Sequence, residues 1–328
     1  MTDDAGVTLS PDSPTTGSRR KPWERALAVT VIVATLVTMV WVGVVNWDEY
    51  RALVMSLSLL PLLGALVAGL FGQFLGVAIA NISLATEGAP LSLASTYRLI
   101  AVGGLAKYLP GGFWQIGSQA GLGRAAGLGF RHSMLVWIEP TAYNVTVGAG
   151  LALLAATQVD YGLPDLLLVA GAVLAFVAST NRVRYSIYRL VRLIPKDRPI
   201  PELRTAWPRQ FLLTVAVIAL TGAAGMLVVS AFELDATVGY LGSVAAFVGA
   251  WVVGFLAIPI PGGIGVREGA LVFALAPWMP AHQAVLVAAA SRLVATAGEL
   301  VSGLAGVALG AEERRSPSRY PKLEEDGP

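Results

Sequence analysis

The chain has no cysteine and only two histidines among its 328 residues. Disulfides, zinc–thiolate sites, thiol nucleophiles and a lipoprotein-type anchor are therefore excluded. Neither His132 nor His282 has a second histidine or a carboxylate at helical ligand spacing, so no metal site is expected. Charge is scarce as well: Asp, Glu, Lys and Arg make up 13% of the residues, against ~25% in ordinary soluble domains. No Walker loop, Asp-x-Asp pair or Ser-His-Asp set is present. ATP-driven transport, metal-dependent glycosyl transfer, bound cofactors and nucleic-acid binding are not expected, and the chain is expected not to be an enzyme. GLGRAA at 121–126 fits a loose dinucleotide pattern, but no strand precedes it and the carboxylate that follows, Glu139, lies in an apolar run.

Apolar residues are what the chain has in excess, at 55%. Runs of about 20 recur, the length that crosses ~30 Å of hydrocarbon. They fall at 26–45, 53–80, 134–156, 164–180, 210–232, 239–258 and 282–310. Two further stretches, 91–123 and 259–280, are apolar but interrupted by Gly and Pro. The run at 26–45 is too long for a signal-peptide core and reads as a retained span. The expected fold is an all-α polytopic membrane protein with about 7–8 transmembrane helices plus two Pro-Gly-Gly re-entrant segments in a pseudo-repeat. One transmembrane domain is expected over 25–310, between disordered cytoplasmic tails at 1–24 and 311–328.

Cations set the orientation. Twenty of the 23 Lys and Arg lie in the N-terminal tail, 81–133, 181–209 and the C-terminal tail. The alternate connections at 46–51, 158–165 and 232–239 are acidic and hold only Arg51. Both termini are therefore expected on the cytoplasmic side of a bacterial plasma membrane. The basic loop at 181–209 carries Val183, Ile187, Leu190 and Ile194 at helical spacing. That pattern suits a helix lying on anionic lipid as well as a solvated loop.

KYLPGGFW (107–114) and IPIPGGIG (258–265) look alike and stand nearly half the chain apart. Proline lacks an N–H and glycine admits unusual backbone angles. Non-helical backbone at membrane depth survives only when it is buried in protein or lines a wet cavity. Matching interruptions in two halves point to a central transport site. Ionisable groups gather near them: Lys107, Arg267 and Arg292 against Glu139, Glu268 and Glu299. A lone charge at mid-helix costs roughly 2.5–3.5 kcal/mol, so these must pair or face water. Arg292, Thr296, Glu299 and Gly303 make one helical stripe, and Glu139, Tyr143 and Thr146 another, with Asn144 nearby. Arg267 and Glu268 are expected to supply partners for Arg292 and Glu299. GVREG (265–269) and GLAGVALG (303–310) carry small residues at helix-packing spacing.

These motifs carry a resemblance. KYLPGGFW followed by the Glu139 span, and PGGIGVREGAL followed by SRLVATAGELVSGLAG, resemble the transmembrane domain of lysylphosphatidylglycerol synthases and the wider flippase-like family that shares it. The resemblance extends over residues 25–310. It implies movement of aminoacylated phosphatidylglycerol between leaflets. In the synthases a separate cytoplasmic domain charges the lipid; only AEERRSPSRYPKLEEDGP follows Gly310, so synthase activity is not expected. Other members resemble stand-alone proteins, or membrane regions fused to or paired with glycosyltransferases acting on polyprenyl-phosphate sugars.

Lys107, Pro110, Gly111, Gly112, Glu139, Pro261, Gly262, Gly263, Arg267, Glu268 and Arg292 sit in the family-like motifs, and Glu299 joins them by helical spacing. The expected role is translocation of an anionic or aminoacylated phospholipid or a polyprenyl-phosphate glycolipid, these residues binding its headgroup. The alternative is a membrane scaffold that docks a cytoplasmic glycosyltransferase through 181–209.

Overall fold

The computed structural model describes residues 57–106, 114–159, 163–180, 206–232, 237–257 and 265–315, with isolated positions at 51, 55, 161, 234 and 263. The span expected at 26–45, Lys107, Pro110, Gly111, Gly112, Pro261, Gly262, most of the basic loop and the tails lie outside the described residues.

The described elements are helices, and no strand occurs among them. They are α1 (Leu59–Thr86), α2 (Leu93–Leu105), α3 (Trp114–Ala125), α4 (Phe130–Ala156), α5 (Asp165–Ser179), α6 (Ala206–Ser230), α7 (Tyr240–Leu256), α8 (Val266–Leu275) and α9 (Ala281–Arg315). α1, α6 and α9 (over Ala281–Gly310) are long and apolar enough to cross a bilayer. α4 matches them in length at 27 residues, about 40 Å at 1.5 Å per residue. Large side chains such as Leu60, Phe71, Leu166, Leu174, Leu212 and Leu304 are exposed on the outer faces. Water would penalise such a surface, whereas lipid does not.

The stretch 91–123, one interrupted apolar segment in the sequence, divides into α2 and α3, which are too short to span. α2 and α3 fold back on each other: Ser118 Oγ donates to Gly103 O at 3.0 Å. α7 and α8 also pack on each other, with Arg267 Cβ against Gly254. Here Gly263 (φ 63°) and Gly265 (φ 87°) adopt left-handed angles that L side chains avoid. A Cβ at Gly263 would lie 2.5 Å from Gly254 O, so the returning backbone presses directly on α7.

The two helical hairpins open at opposite ends of the bundle. At one end Asn81 Nδ2 donates to Thr96 Oγ1 on α2 at 2.9 Å, Arg131 pairs with Glu87, and a Cβ at Gly123 on α3 would meet Ser133 Oγ of α4. Trp207 Nε1 donates to Ser179 O there at 3.3 Å. At the other end Ser58 N donates to Ala231 O at 2.8 Å. There Tyr161 OH donates to Ala274 O of α8 at 3.0 Å, and Trp278 lies against both Tyr161 and Gly242 of α7. The first end holds Arg98, Arg124, Arg131 and Arg209; the second holds Asp165 at the start of α5.

Glycine sets how closely the helices approach. A Cβ at Gly222 or Gly225 of α6 would meet Val244 or Phe247 of α7 at 2.4–2.5 Å. On α9, Gly303, Gly306 and Gly310 face Leu105, Val102 and Arg98 of α2. The small-residue spacing of GLAGVALG is therefore a helix-packing seam. α7 contains a π-helical stretch, Val244–Val248, at its α6 contact.

Candidate functional site

A cavity of about 350 Å³ lies inside the bundle, walled by α1, α2, α3, α4, α6, α7 and α9. Its walls follow from helical periodicity. α4 presents Trp137, Pro140, Thr141 and Asn144, and α1 presents Gly69, Gly72, Gln73 and Gly76, each on one helical face. Gly72 is buried, yet a Cβ there would meet no described atom within 4 Å. A Cβ at half-buried Gly76 or Gly104, or at exposed Gly69, would likewise meet none. Unlike the packing glycines of α6 and α9, Gly72, Gly76 and Gly104 face open space.

Polar groups converge on this space. Gln119 of α3 is only 2% exposed, and neither its Oε1 nor its Nε2 has a hydrogen-bond partner among the described residues. Asn144 Oδ1 is also buried without one. Such orphaned amide atoms each cost about 1–3 kcal/mol in a dry interior. Glu299 and Tyr97 line the cavity too, and Tyr97 OH donates to Ser302 O at 3.3 Å. Pro140, inside α4, gives no N–H to the Val136 carbonyl, and both residues line the wall.

The second broken segment meets α9 at Arg292, two turns along the helix from cavity-lining Glu299. Glu268 accepts a hydrogen bond from Gly265 N at 2.7 Å, closing the first turn of α8. Its other carboxylate oxygen faces Arg292 at 3.7 Å, with side-chain exposures of 11% and 27%. The sequence-based partner for Arg292 is thus in place, as an ion pair too long for a strong hydrogen bond. Arg267 packs its Cβ on Gly254 of α7. Glu299 lies two turns beyond Arg292 on nearly the same face of α9, about 10.5 Å along the axis.

Depth follows from helix neighbours. Gly148 of α4 faces Val252 of α7, and Ala152 faces Gly249, so the two run antiparallel. One further turn brings Leu256, the last residue of α7, level with Asn144 in the middle of α4. On α9, Leu105 of α2 lies opposite Gly303 and Glu268 of α8 opposite Arg292. The described ends of both hairpins therefore fall within the length of α9.

The expected residues are not all in one place. Glu299 lines the cavity, Glu268 and Arg292 pair with each other outside its lining, and Gly263 lies against Gly254 of α7. Glu139 is buried at 2% exposure, adjacent to lining Pro140. The stripe of Glu139, Tyr143 and Thr146 splits. Tyr143 OH donates to Gln210 Oε1 at 2.9 Å, and Gln210 Nε2 donates to Ser83 Oγ at 2.8 Å. Thr146 bonds to its own helix. That buried relay ties α4, α6 and α1 together away from the cavity wall. Sequence reasoning missed Gln73, Tyr97, Gln119, Trp137 and Trp251. The available signal was the Gly-x-x-Gly-Gln-x-x-Gly face of α1 at 69–76, one of the few polar helical faces in that run.

Compared with known proteins, the chain matches no curated protein. It does match, over residues 26–303, the family described as Lysylphosphatidylglycerol synthase TM region. With its long apolar helices and exposed apolar side chains, the chain is an integral membrane protein belonging to that family.

Proposed function

We propose that this protein is a lipid translocase of a bacterial plasma membrane, moving an anionic headgroup through the middle of its helix bundle while the hydrocarbon chains stay in lipid. The observation that carries this reading is the cavity: buried Gly72 faces open space, and unpartnered amide atoms of Gln119 and Asn144 point to a wet or ligand-filled interior. Two hairpins of short helices, opening at opposite ends, suit a pair of re-entrant elements related by inversion, the arrangement in which transporters place a mid-membrane site. The four arginines at one end favour that end as cytoplasmic.

In this reading Arg267 and Arg292, with Lys107, attract the phosphate. Glu268 and Glu299 balance those cations when no lipid is bound. The Glu268–Arg292 pair suits that exchange, because an ion pair at 3.7 Å is weaker than a tight bidentate one.

The test is reconstitution of the full chain into vesicles carrying acyl-labelled phosphatidylglycerol. Lipid movement between leaflets should exceed that in protein-free vesicles and fall at least tenfold in Arg267→Ala and Glu299→Gln. Movement no faster than in empty vesicles overturns the proposal.

A further inference from the structure

A groove lies on the outside of the bundle at its arginine-bearing end. α1 touches α9 where Leu66, Leu70 and Gln73 surround Gly298. Nearer that end the two helices leave a hollow lined by Phe74 of α1, Leu93 and Ala94 of α2, and Ala305, Ala308 and Leu309 of α9. All six side chains are apolar. The hollow covers about one helical turn on α2 and on α9, ~6 Å along the axis, too short to seat a helix roughly 10–12 Å across. A single hydrocarbon chain fits it, and filling it recovers dispersion contacts that an empty hollow forgoes.

The groove leads inward, because Tyr97 lines both it and the central cavity. On α2 the groove face at Ala94 and Tyr97 continues into Ala101 and Gly104 of the cavity wall. On α9 the face at Ala308 and Ala305 continues into Ser302 and Glu299. Each helix therefore carries one unbroken face from the outer surface to the chamber. The Tyr97 ring stands at the junction, and its hold on α9 is slight. Its hydroxyl donates to Ser302 O at 3.3 Å, well beyond the ~2.7–2.8 Å of a good O–H···O bond. Arg98, the next residue, lays its guanidinium over Gly310, one position past Leu309.

We infer that this groove is the lateral doorway of the chamber. It seats one hydrocarbon chain of a lipid from the leaflet on the arginine side, while the headgroup passes inward beside Tyr97, which acts as the gate. Arg98 draws the phosphate to the outer mouth. The passage rests on the translocase reading; the seat for the chain does not.

Transport tests the passage. Ala305→Trp and Ala308→Trp fill the groove from α9, where both residues are exposed. Leu304→Trp and Val307→Trp, exposed on the same stretch but outside the groove, are the matched controls. In vesicles with acyl-labelled phosphatidylglycerol the first pair should slow lipid movement at least about tenfold, ~1.4 kcal/mol, and the controls should not. Tyr97→Phe keeps the ring and releases it from Ser302, so lipid should cross faster than in the unaltered protein; slower crossing overturns the gate.

The seat is read without transport. Phosphatidylglycerol with a photoactivatable diazirine at mid-chain is cross-linked to the unaltered full chain in vesicles, and the adducts are mapped by mass spectrometry. Leu93 and Leu309 should be labelled at least about tenfold more than exposed Leu166 and Leu174 of α5, and Ala308→Trp should remove the excess. Equal labelling of groove and α5 overturns the seat. Movement that treats all four tryptophan variants alike overturns the doorway and leaves the translocase reading standing. Groove labelling with no movement in the unaltered protein keeps the seat and removes the translocase reading.

Discussion

Replacing Gly72 with alanine tests whether the cavity is a working space or a packing fault. Gly72 sits fourteenth in the 28-residue α1, far from either end, so helix propensity applies in full. Alanine is favoured over glycine there by about 0.5–1 kcal/mol. Nothing opposes that gain, since no described atom lies within 4 Å of the new methyl. Gly225→Ala in α6 is the matched control: its Cβ would lie 2.5 Å from the Phe247 ring, an overpacking that costs about 1–3 kcal/mol. The two substitutions should therefore differ in sign, and by about 1.5–4 kcal/mol in all. Thermal unfolding of the purified variants in one detergent reads the difference. Gly72→Leu then fills the cavity with an isobutyl group and should slow lipid movement at least tenfold while the protein remains folded. If Gly72→Ala destabilises as Gly225→Ala does, the space is not open. If Gly72→Leu folds and transports normally, the cavity is off the lipid's route.

Other substitutions probe separate parts of the bundle. Tyr143→Phe leaves Gln210 Oε1 without its donor and should cost about 1–3 kcal/mol; a melting point equal to wild type would deny the buried relay any role. Glu268→Gln leaves Arg292 facing a neutral amide and should destabilise by less than the ~3–5 kcal/mol of a fully buried pair, because Arg292 is 27% exposed. The double variant Glu268→Gln/Arg292→Gln should recover part of that loss, and strict additivity in the cycle would show that the two are uncoupled. Tyr161, in the connection between α4 and α5, has its phenol pushed up to about 12 by burial. The folded state thus holds this proton more tightly than the unfolded chain, whose tyrosine titrates at about 10. The resulting stability is complete below pH 10 and is lost as pH climbs through about 12. Tyr161→Phe should flatten the alkaline limb of a stability–pH curve, and an unchanged limb would clear Tyr161 of that role.

The apolar runs announced most helices because burial in lipid asks only for length and hydropathy: the runs at 210–232 and 239–258 became α6 and α7 with ends shifted by a few residues. The 259–280 stretch was harder to read. Its prolines and glycines marked a break, but only three-dimensional neighbours show α8 folding back on α7 through Gly254. Charge was the best guide to Glu268 and Arg292, since two ionised groups in apolar sequence need each other. Gln119 and Asn144 gave no comparable warning. A neutral amide costs less to bury than an ion, and nothing in its local spacing says whether it will find a partner. The two glycine populations were equally silent, because Gly72 and Gly225 read alike in an apolar run and differ only in what stands opposite.

The chain's lack of cysteine supplies the most direct test of a solvent-filled chamber at the heart of the bundle. A single cysteine introduced as Asn144→Cys in the full chain, reconstituted in sealed vesicles, is treated with a charged, membrane-impermeant thiol reagent from either side. Modification from at least one side, suppressed when Gly72→Leu is added, is the outcome expected of a headgroup chamber. A thiol that resists the reagent from both sides and reacts only after detergent is added would contradict it.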